Sequence, residues 1–259
     1  MIRASDLSRF TYCARLIYLY SVLGLEEEKT PERIRGVVGH AVRRELSMRQ
    51  ARLLGGIRSE EDVYHILCME LDSAFSDLPC IFAQEWSALH SILIPEVKAE
   101  VLAELDTLQK DLEAMVEDVG FERALKIVTP WRIEYNLKSD SLGLSGRVDK
   151  IMYNSGLVPV DIKTGVASEL GWESDRIQLC AYGMLMEDKF SGNIPYGLLE
   201  YTRIAKRRPV LFTEELRRQV FDARDGVQEI LEGAAPDVCP HGQPRKCESC
   251  NLRDECYRN

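Results

Sequence analysis

Apolar side chains recur at helical spacing through most of the first half of the chain. Serine before such a run is a good helix cap, and proline fits the first helical turn because its missing N–H needs no partner there. We therefore expect helices from Ser5 to about Tyr20, from Thr30 to about Leu54, from Ser59 onward and from Pro95 onward. The stretch from about residue 44 to residue 130 predicts a helical layer inserted into a larger domain.

From Trp131 the pattern changes to the alternation that is typical of strands. Residues 131–137, 142–153 and 157–163 predict three consecutive strands, with a tight turn at 154–156. Helical spacing returns at 175–189, two further strands follow at 196–202 and 209–212, and Thr213 predicts the cap of a last helix to about Gly233. This order of elements predicts an α/β fold in which helices flank a mixed sheet.

The length and composition fit one substantial core with a small appendage, since the chain has 259 residues and 45% hydrophobic side chains. We expect residues 1–235 to form the main domain, including the helical insertion, and residues 236–259 to form a cysteine-rich segment. No apolar run has the length of a membrane span, and the N-terminal residues are polar where a signal peptide is apolar. A cytoplasmic protein without a membrane partner is therefore expected.

The net charge of −9 disfavours a nucleic-acid partner, because phosphate binding needs a basic surface. The charge is unevenly distributed, since residues 96–118 hold eight acids against two lysines, a net of −6. A basic run at Arg203, Lys206, Arg207 and Arg208 is either solvated surface or a contact for phosphates. Charge alone therefore does not exclude nucleic acid.

Two aspartates lie on neighbouring strands of the predicted hairpin, Asp149 on one and Asp161 on the next. Burying carboxylates is costly, so a compensating cation is expected. Lys163 shares the face of Asp161 because strand side chains alternate, while Ile162 faces the core and offers its backbone carbonyl as a ligand. Carboxylates, a carbonyl and water suit Mg²⁺ or Mn²⁺. Lys163, with a pKa lowered by burial and the metal, would then orient or deprotonate an attacking water, or balance charge on the phosphorane-like transition state.

A structural ion pair between Asp161 and Lys163 is the alternative, since a bare D-x-K is common by chance. The catalytic interpretation is favoured by the combination of GRVDKI, a gap of hairpin length and PVDIKTG, with apolar residues on both sides of each charged position. Glu134, on the preceding strand, is either an auxiliary acid or a charged rim residue.

The motifs resemble the RecB-like branch of the PD-(D/E)XK nucleases, which implies further site residues. In that branch a histidine on an upstream helix joins the metal site, and His40 in GVVGHAVRRE matches it. Glycine is unfavourable inside a helix, so Gly36 and Gly39 also predict a close approach of backbone or ligand there. A Q-x-x-x-Y motif follows the lysine strand in the branch, and Gln178 with Tyr182 match it on one helical face. The resemblance implies that these two contact DNA and the metal-bound phosphate region.

Eight cysteines in a chain without an export signal predict thiols or metal ligands, because the cytosol keeps thiols reduced. Cys247, Cys250 and Cys256 supply three soft ligands in a short segment, one fewer than a closed four-coordinate site needs. If Cys239 is the fourth, all ligands are local and a structural zinc is expected.

The iron–sulfur subgroup of RecB-like nucleases instead takes its fourth ligand from an N-terminal cysteine, and Cys13 in SDLSRFTYCARL resembles that element. This resemblance implies a [4Fe–4S] cluster, or a [2Fe–2S] form, that joins the two ends of the chain. Cys239 has no part in that ligand set, so Cys239→Ser is expected to leave the metal content unchanged.

The order of these elements resembles the Cas-four family of CRISPR-associated exonucleases, with a restriction-endonuclease-like core. Residues 44–130 are not covered by the motifs, and Asp161 stands where glutamate is common in the wider superfamily. The resemblance implies a metal-dependent exonuclease that acts on single-stranded DNA ends with 5′ to 3′ polarity and trims prespacers with the CRISPR integrase complex. The alternatives are a stand-alone RecB-like repair nuclease and a catalytically idle iron–sulfur DNA-binding scaffold, which the intact acids and lysine argue against.

Overall fold

The computed structural model describes residues 1–26, 30–53, 59–81, 93–153, 155–167, 169, 171–248 and 250–258. Leu54 and Asn154, at the ends of a predicted helix and a predicted turn, lie outside the described residues. The elements in chain order are β1 (Ile2–Arg3), α1 (Ala4–Tyr12), α2 (Ala14–Ile17), α3 (Pro31–Leu53), α4 (Glu60–Ile81), α5 (Leu93–Val119), α6 (Phe121–Val128), β2 (Arg132–Ser139), β3 (Leu144–Tyr153), β4 (Leu157–Lys163), α7 (Glu173–Phe190), β5 (Tyr196–Tyr201), β6 (Lys206–Leu211), α8 (Glu214–Leu231), α9 (Pro244–Glu248) and α10 (Arg253–Arg258).

The described strands form one mixed sheet around β3. β3 pairs antiparallel with β2 along most of its length. Its first residues also pair with β1 in parallel, and its last residues pair antiparallel with β4. β5 lies parallel to β4 and antiparallel to β6. The predicted α/β fold with a mixed sheet is therefore confirmed.

Three predicted helix starts are confirmed by their caps. The side-chain oxygens of Thr30, Ser59 and Thr213 each accept the backbone N–H three residues later, at 3.3, 3.4 and 3.2 Å respectively. Such bonds satisfy donors that have no partner within the helix, which is why these residues begin helices. Among the described residues, no helix combines the length and the apolar character that crossing a bilayer requires.

The first predicted helix differs from the expectation. It begins at Ala4 instead of after Ser5, and it is interrupted at Cys13, which adopts an extended conformation with φ −163° and ψ 109°. A π-helical turn, Tyr18–Val22, then follows α2. Arg15 of α2 donates a 2.5 Å hydrogen bond to the carbonyl oxygen of Pro236. The break therefore coincides with a contact from far along the chain, which helical periodicity does not reveal.

The described residues form two main cores. In the larger one, α7 packs against the sheet and against α1 and α8, and its side chains from Leu179 to Met186 are all buried. The second core joins α3, α4, α5 and α6. Arg43 of α3, itself buried, binds Glu104 of α5 at 3.0 Å, so part of the acidic stretch at 96–118 is neutralised within the helical layer. Whether these helices form an insertion, and where the domain ends, stay predictions.

Candidate active site

The two aspartates lie where β3 and β4 separate. The last paired residues at this end of the two strands are Lys150 and Val160. Asp149 and Asp161 come directly after that pair, and Asp149 Oδ2 accepts a 2.7 Å hydrogen bond from the backbone N–H of Ile162. The side chain of Asp161 is only 5% exposed, whereas Asp149 keeps part of its surface open to a cavity. The predicted hairpin therefore does bring two carboxylates to neighbouring positions.

The surroundings of Asp149 and Asp161 disfavour the state in which both carboxylates are ionised. Burial raises the pKa of Asp149 to about 8, and the charges of Asp161 and then Glu134 act in the same direction. Glu134 lies opposite Asp149 in the register of β2 and β3, with a φ of 50°, and its carboxylate is paired with Arg147 at 2.8 Å. Neighbouring carboxylates of this kind are stabilised in their ionised form by a bound cation.

The ammonium group of Lys163 is held by three partners. Its Nζ lies 2.8 Å from Asp161 Oδ2, 3.2 Å from Asp175 Oδ1 and 3.0 Å from Gln178 Oε1. Gln178 accepts a hydrogen bond from the group, whereas the two aspartates pair with it ionically, and Asp161 Oδ2 accepts no hydrogen bond among the described residues. Burial lowers the pKa of Lys163, but the charges of Asp161 and Asp175 outweigh burial and leave the pKa raised. The sequence analysis predicted a lowered pKa for Lys163, whereas the protein's own groups, without a metal ion, raise it.

Gln178 and Tyr182 extend this network to the cavity wall. Gln178 Nε2 donates to Tyr182 Oη at 2.9 Å, so one amide contacts both Lys163 and the tyrosine. The tyrosine ring lies against Gly146 of β3, where an added Cβ would come within 2.6 Å of Tyr182 Cε1. The two matched residues of the Q-x-x-x-Y motif therefore share one face and position Lys163. Their contact with DNA stays a prediction.

Asp175 is a site residue that sequence reasoning missed. Besides Lys163, it contacts Tyr201 Oη, which donates to Asp175 Oδ2 at 3.2 Å. Burial raises the pKa of Asp175. The residue lies in the first turn of α7, where an acid is common because it complements the helix dipole. No local signal therefore distinguishes it from an ordinary helix-start acid.

His40 reaches the site because α3 packs closely on the end of β4. A Cβ at Gly36 would lie 3.2 Å from Thr164 Oγ1, and a Cβ at Gly39 would lie 3.4 Å from Thr164 Cγ2. A close approach at these glycines is therefore present, but side chains make it instead of the backbone or ligand that the sequence predicted. His40 lines the same cavity as Asp149, and burial lowers its pKa to about 4 although Asp161 opposes this. A neutral imidazole is the form that binds metals.

The cavity above these residues has a volume of about 1000 Å³. Its lining includes four arginines from separate parts of the chain, Arg3, Arg33, Arg44 and Arg147. Three of the four residues of the basic run predicted from sequence contact the rest of the fold, since Arg203 donates to Thr164 O at 3.0 Å, Arg207 to Glu200 at 2.7 Å and Arg208 to Glu169 O. Because the lining arginines are scattered along the sequence, no charge run could have indicated them.

A second candidate metal centre lies at the chain ends. One small cavity is lined by Cys13, Cys239, His241, Cys247, Cys250 and Cys256. Lys246 donates to the carbonyl oxygen of Tyr12 at 3.1 Å and so fixes the C-terminal segment beside the first helix break. The implied meeting of Cys13 with the C-terminal cysteines is therefore present. Within the described residues, the ligand atoms that lie within 4.8 Å of one another are those of Cys239, His241 and Cys247. Which group these residues bind stays a prediction.

The family model described as the PD-(D/E)XK nuclease superfamily matches residues 3–257. The chain therefore belongs to the PD-(D/E)XK nuclease superfamily, as its motifs predicted. It is similar to three proteins named CRISPR-associated exonuclease Cas4/endonuclease Cas1 fusion. The one from Myxococcus xanthus is 41% identical over 132 residues, the one from Geobacter sulfurreducens 32% over 127, and the one from Leptospira interrogans 29% over 158.

These alignments cover 48%, 47% and 58% of this chain respectively. They cover 23%, 22% and 27% of the three relatives, so the matched part is about a quarter of each fusion protein. Within the superfamily, the predicted resemblance to the Cas-four family is confirmed by these relatives.

Proposed function

We propose that this chain is a Mg²⁺- or Mn²⁺-dependent exonuclease that hydrolyses phosphodiester bonds of single-stranded DNA ends in the 5′ to 3′ direction. The observation that carries the proposal is the position of Asp149, Asp161 and Lys163 where β3 and β4 separate. Membership of a nuclease superfamily supports the reaction class. The names of the three relatives support an exonuclease acting in a CRISPR system.

The donor set fits a hard divalent cation. His40, Asp149, Asp161 and the backbone carbonyl of Ile162 are the groups that would hold it, and oxygen-rich sets of this kind suit Mg²⁺ and Mn²⁺. The raised pKa of Asp149 supports the fit, because the protein's own groups do not stabilise both ionised carboxylates. When bound, such a cation supplies Lewis-acid stabilisation of phosphate charge and a lowered pKa for its water.

The protein's own groups position the reacting parts. Lys163 is held by three partners, so its positive charge has a fixed place beside the carboxylates, where it can hold a water or a phosphate oxygen. Gln178 accepts a hydrogen bond from the lysine and donates one to Tyr182, so this pair helps to keep the lysine in that place. The arginines that line the cavity supply positive charge for the DNA backbone, although the whole chain has a net charge of −9.

We place the activity in the cytoplasm, in the trimming of prespacers, with the CRISPR integrase complex as partner. The printed names of the relatives join an exonuclease to the endonuclease Cas1, which supports an integrase as partner. In this proposal Cys13, Cys247, Cys250 and Cys256 hold a [4Fe–4S] cluster, and residues 236–259 form its binding segment. Thiols from both ends of the chain in one cavity support that ligand set.

A cleavage assay with end-labelled DNA tests reaction, metal and polarity together. Linear single strands labelled at either end, duplexes and circular single strands are incubated with Mn²⁺, with Mg²⁺ or with excess chelator. We expect metal-dependent loss of linear single strands, with the 5′ label released first as short products and the 3′ label shortening gradually. Cleavage of circles would instead identify an endonuclease, and early release of the 3′ label would reverse the polarity.

Variants assign the reaction to the site. Asp149→Ala and Lys163→Ala are expected to remain folded and to lose the metal-dependent activity. Lys138→Ala is the matched control, because Lys138 is 66% exposed and pairs only with the surface carboxylate of Asp140 in the described contacts. Full activity in either site variant would contradict the assignment.

A further inference from the structure

The cavity at the chain ends holds more metal ligands than a four-coordinate site uses. Five cysteines and one histidine line it. The iron–sulfur ligand set takes four of the cysteines and leaves Cys239 and His241 without a role. The ligand atoms of these two residues and of Cys247 nevertheless lie within 4.8 Å of one another.

The ligand atoms of these three residues lie close enough together to reach a tetrahedral metal site after a small rearrangement. Cys239 Sγ lies 3.9 Å from His241 Nδ1, and Cys247 Sγ lies 4.0 Å from His241 Nε2. With bonds of about 2.3 Å to sulfur and about 2.0 Å to nitrogen, tetrahedral zinc holds its ligand atoms about 3.6 Å apart. Only one imidazole nitrogen can bind the ion, and with one ligand atom from each residue the three atoms lie within 4.8 Å of one another. Movements of up to about 1 Å would therefore bring the three ligands to a common ion.

The local sequence builds this arrangement from a tight turn. Gly242 N donates to Cys239 O at 3.1 Å, and both residues have positive φ, 61° and 54°, so the chain reverses between them. The turn presents Cys239 and His241 to the helix that carries Cys247. Gln243 N donates to His241 Nδ1 at 3.0 Å in an exposed position, where water can replace this bond when the imidazole turns to a metal.

We propose that Cys239, His241 and Cys247 bind a single Zn²⁺ ion, with one of the remaining thiolates of the cavity as the fourth ligand. Thiolate and imidazole donors in this number suit zinc. Because Cys247 also belongs to the iron–sulfur set, zinc and the cluster exclude each other at this cavity. The proposal revises the sequence-based expectation that Cys239 has no part in metal binding, and it does not depend on the nuclease reaction.

Cobalt titration of the full-length protein tests the ligand set. The protein is freed of metal by chelation under reducing, oxygen-free conditions and is then titrated with Co²⁺. The visible absorption of Co²⁺ reports tetrahedral thiolate coordination. Zn²⁺ is added last to displace the cobalt. We expect Cys239→Ser and His241→Gln each to weaken Co²⁺ binding at least about tenfold. Changing a residue that only contacts a metal ligand commonly costs about tenfold in affinity, and loss of a ligand itself should cost at least as much. Cys80→Ser is the matched control, because Cys80 is exposed and does not line this cavity.

Unchanged cobalt affinity in Cys239→Ser and His241→Gln would overturn the proposal. The proposal would also fail if cobalt binding were lost in Cys13→Ser and Cys250→Ser but kept in Cys239→Ser and His241→Gln. If Cys239→Ser does not fold, His241→Gln carries the comparison, with circular dichroism as the check of folding.

A second experiment tests the sharing of Cys247. Zinc-loaded protein is incubated with equal amounts of ferrous and ferric iron and with sulfide, and bound zinc, iron and sulfide are measured after desalting. We expect one zinc ion to be released for each cluster formed. Protein that retains its zinc while gaining a full cluster would show that the two groups do not share a ligand, and the proposal would fail.

Discussion

Gly146→Ala tests the link between the fold and the position of Lys163. Gly146 lies on β3, three residues before Asp149, with the ring of Tyr182 against it. An added Cβ would lie 2.6 Å from Tyr182 Cε1, 3.0 Å from Tyr182 Cδ1 and 3.3 Å from the Cβ of Ala4. Tyr182 is 5% exposed and bonded to Gln178, so the ring has little room to move away.

The expected magnitude follows from this overlap. Forcing one extra carbon into a packed core costs about 1–3 kcal/mol. For a chain of this size each kcal/mol lowers Tm by about 2–4 °C, so a Tm decrease of about 2–12 °C is expected. Displacing Tyr182 also loosens Gln178 from Lys163. Because misplacement of a catalytic group by about 1 Å can cost about a hundredfold in rate, cleavage is expected to slow at least about tenfold well below Tm.

Thermal melting and single-turnover cleavage of labelled single-stranded DNA measure the two effects. Gly156→Ala is the matched control, since a Cβ at Gly156 meets no atom within 4 Å. In a Tyr182→Ala background, Gly146→Ala should cost little further stability, because the ring that it would strike is gone. Additive losses in the double variant, or an unchanged Tm and rate in the single one, would refute the reasoning.

Three further predictions concern charge and capping. Asp175→Asn removes a charged partner of Lys163. Because such bonds contribute about 1.5–3 kcal/mol, single-turnover cleavage should slow at least about tenfold. DNA affinity, measured by fluorescence anisotropy, should stay unchanged. Thr213→Ala removes the cap of α8 and should lower the free energy of unfolding by about 1 kcal/mol in urea denaturation, with no change in cleavage rate. Glu200 is buried, which raises its pKa, but Lys150 and a neighbouring arginine bring the pKa down from 4.5 to about 2. Its folded pKa is thus depressed, so its stabilisation is complete above pH 4.5 and is lost as pH falls towards 2. Urea denaturation of Glu200→Gln across that range should show a shallower loss than the unaltered protein, and an equal slope would contradict this assignment.

The central part of the site could be predicted from sequence because its determinants are local. Asp161 and Lys163 share a face through the period of a strand, and a short turn after β3 brings Asp149 to the adjoining strand. The contact of Gln178 with Tyr182 follows in the same way from helical spacing. Each of these relations involves residues that are close in sequence or joined by one hairpin.

The rest depends on contacts between distant segments. The helix break at Cys13 coincides with the bond from Arg15 to Pro236, more than two hundred residues away. The position of Asp175 beside Lys163 depends on how α7 lies against β4, which no pattern within α7 specifies. The same holds for the arginines around the cavity, which come together only when α3 and the sheet are assembled.

The cavity at the chain ends also implies an order of events during synthesis. Every strand of the sheet, and every residue proposed for the hydrolytic site up to Tyr182, leaves the ribosome before Cys239 does. Cys13, although made early, can meet all the other cysteines of the cavity only after Cys256 has been added. The strands of the sheet can thus be made before the thiol cavity closes, so metal reaches the complete set of thiols only after those strands have been synthesised.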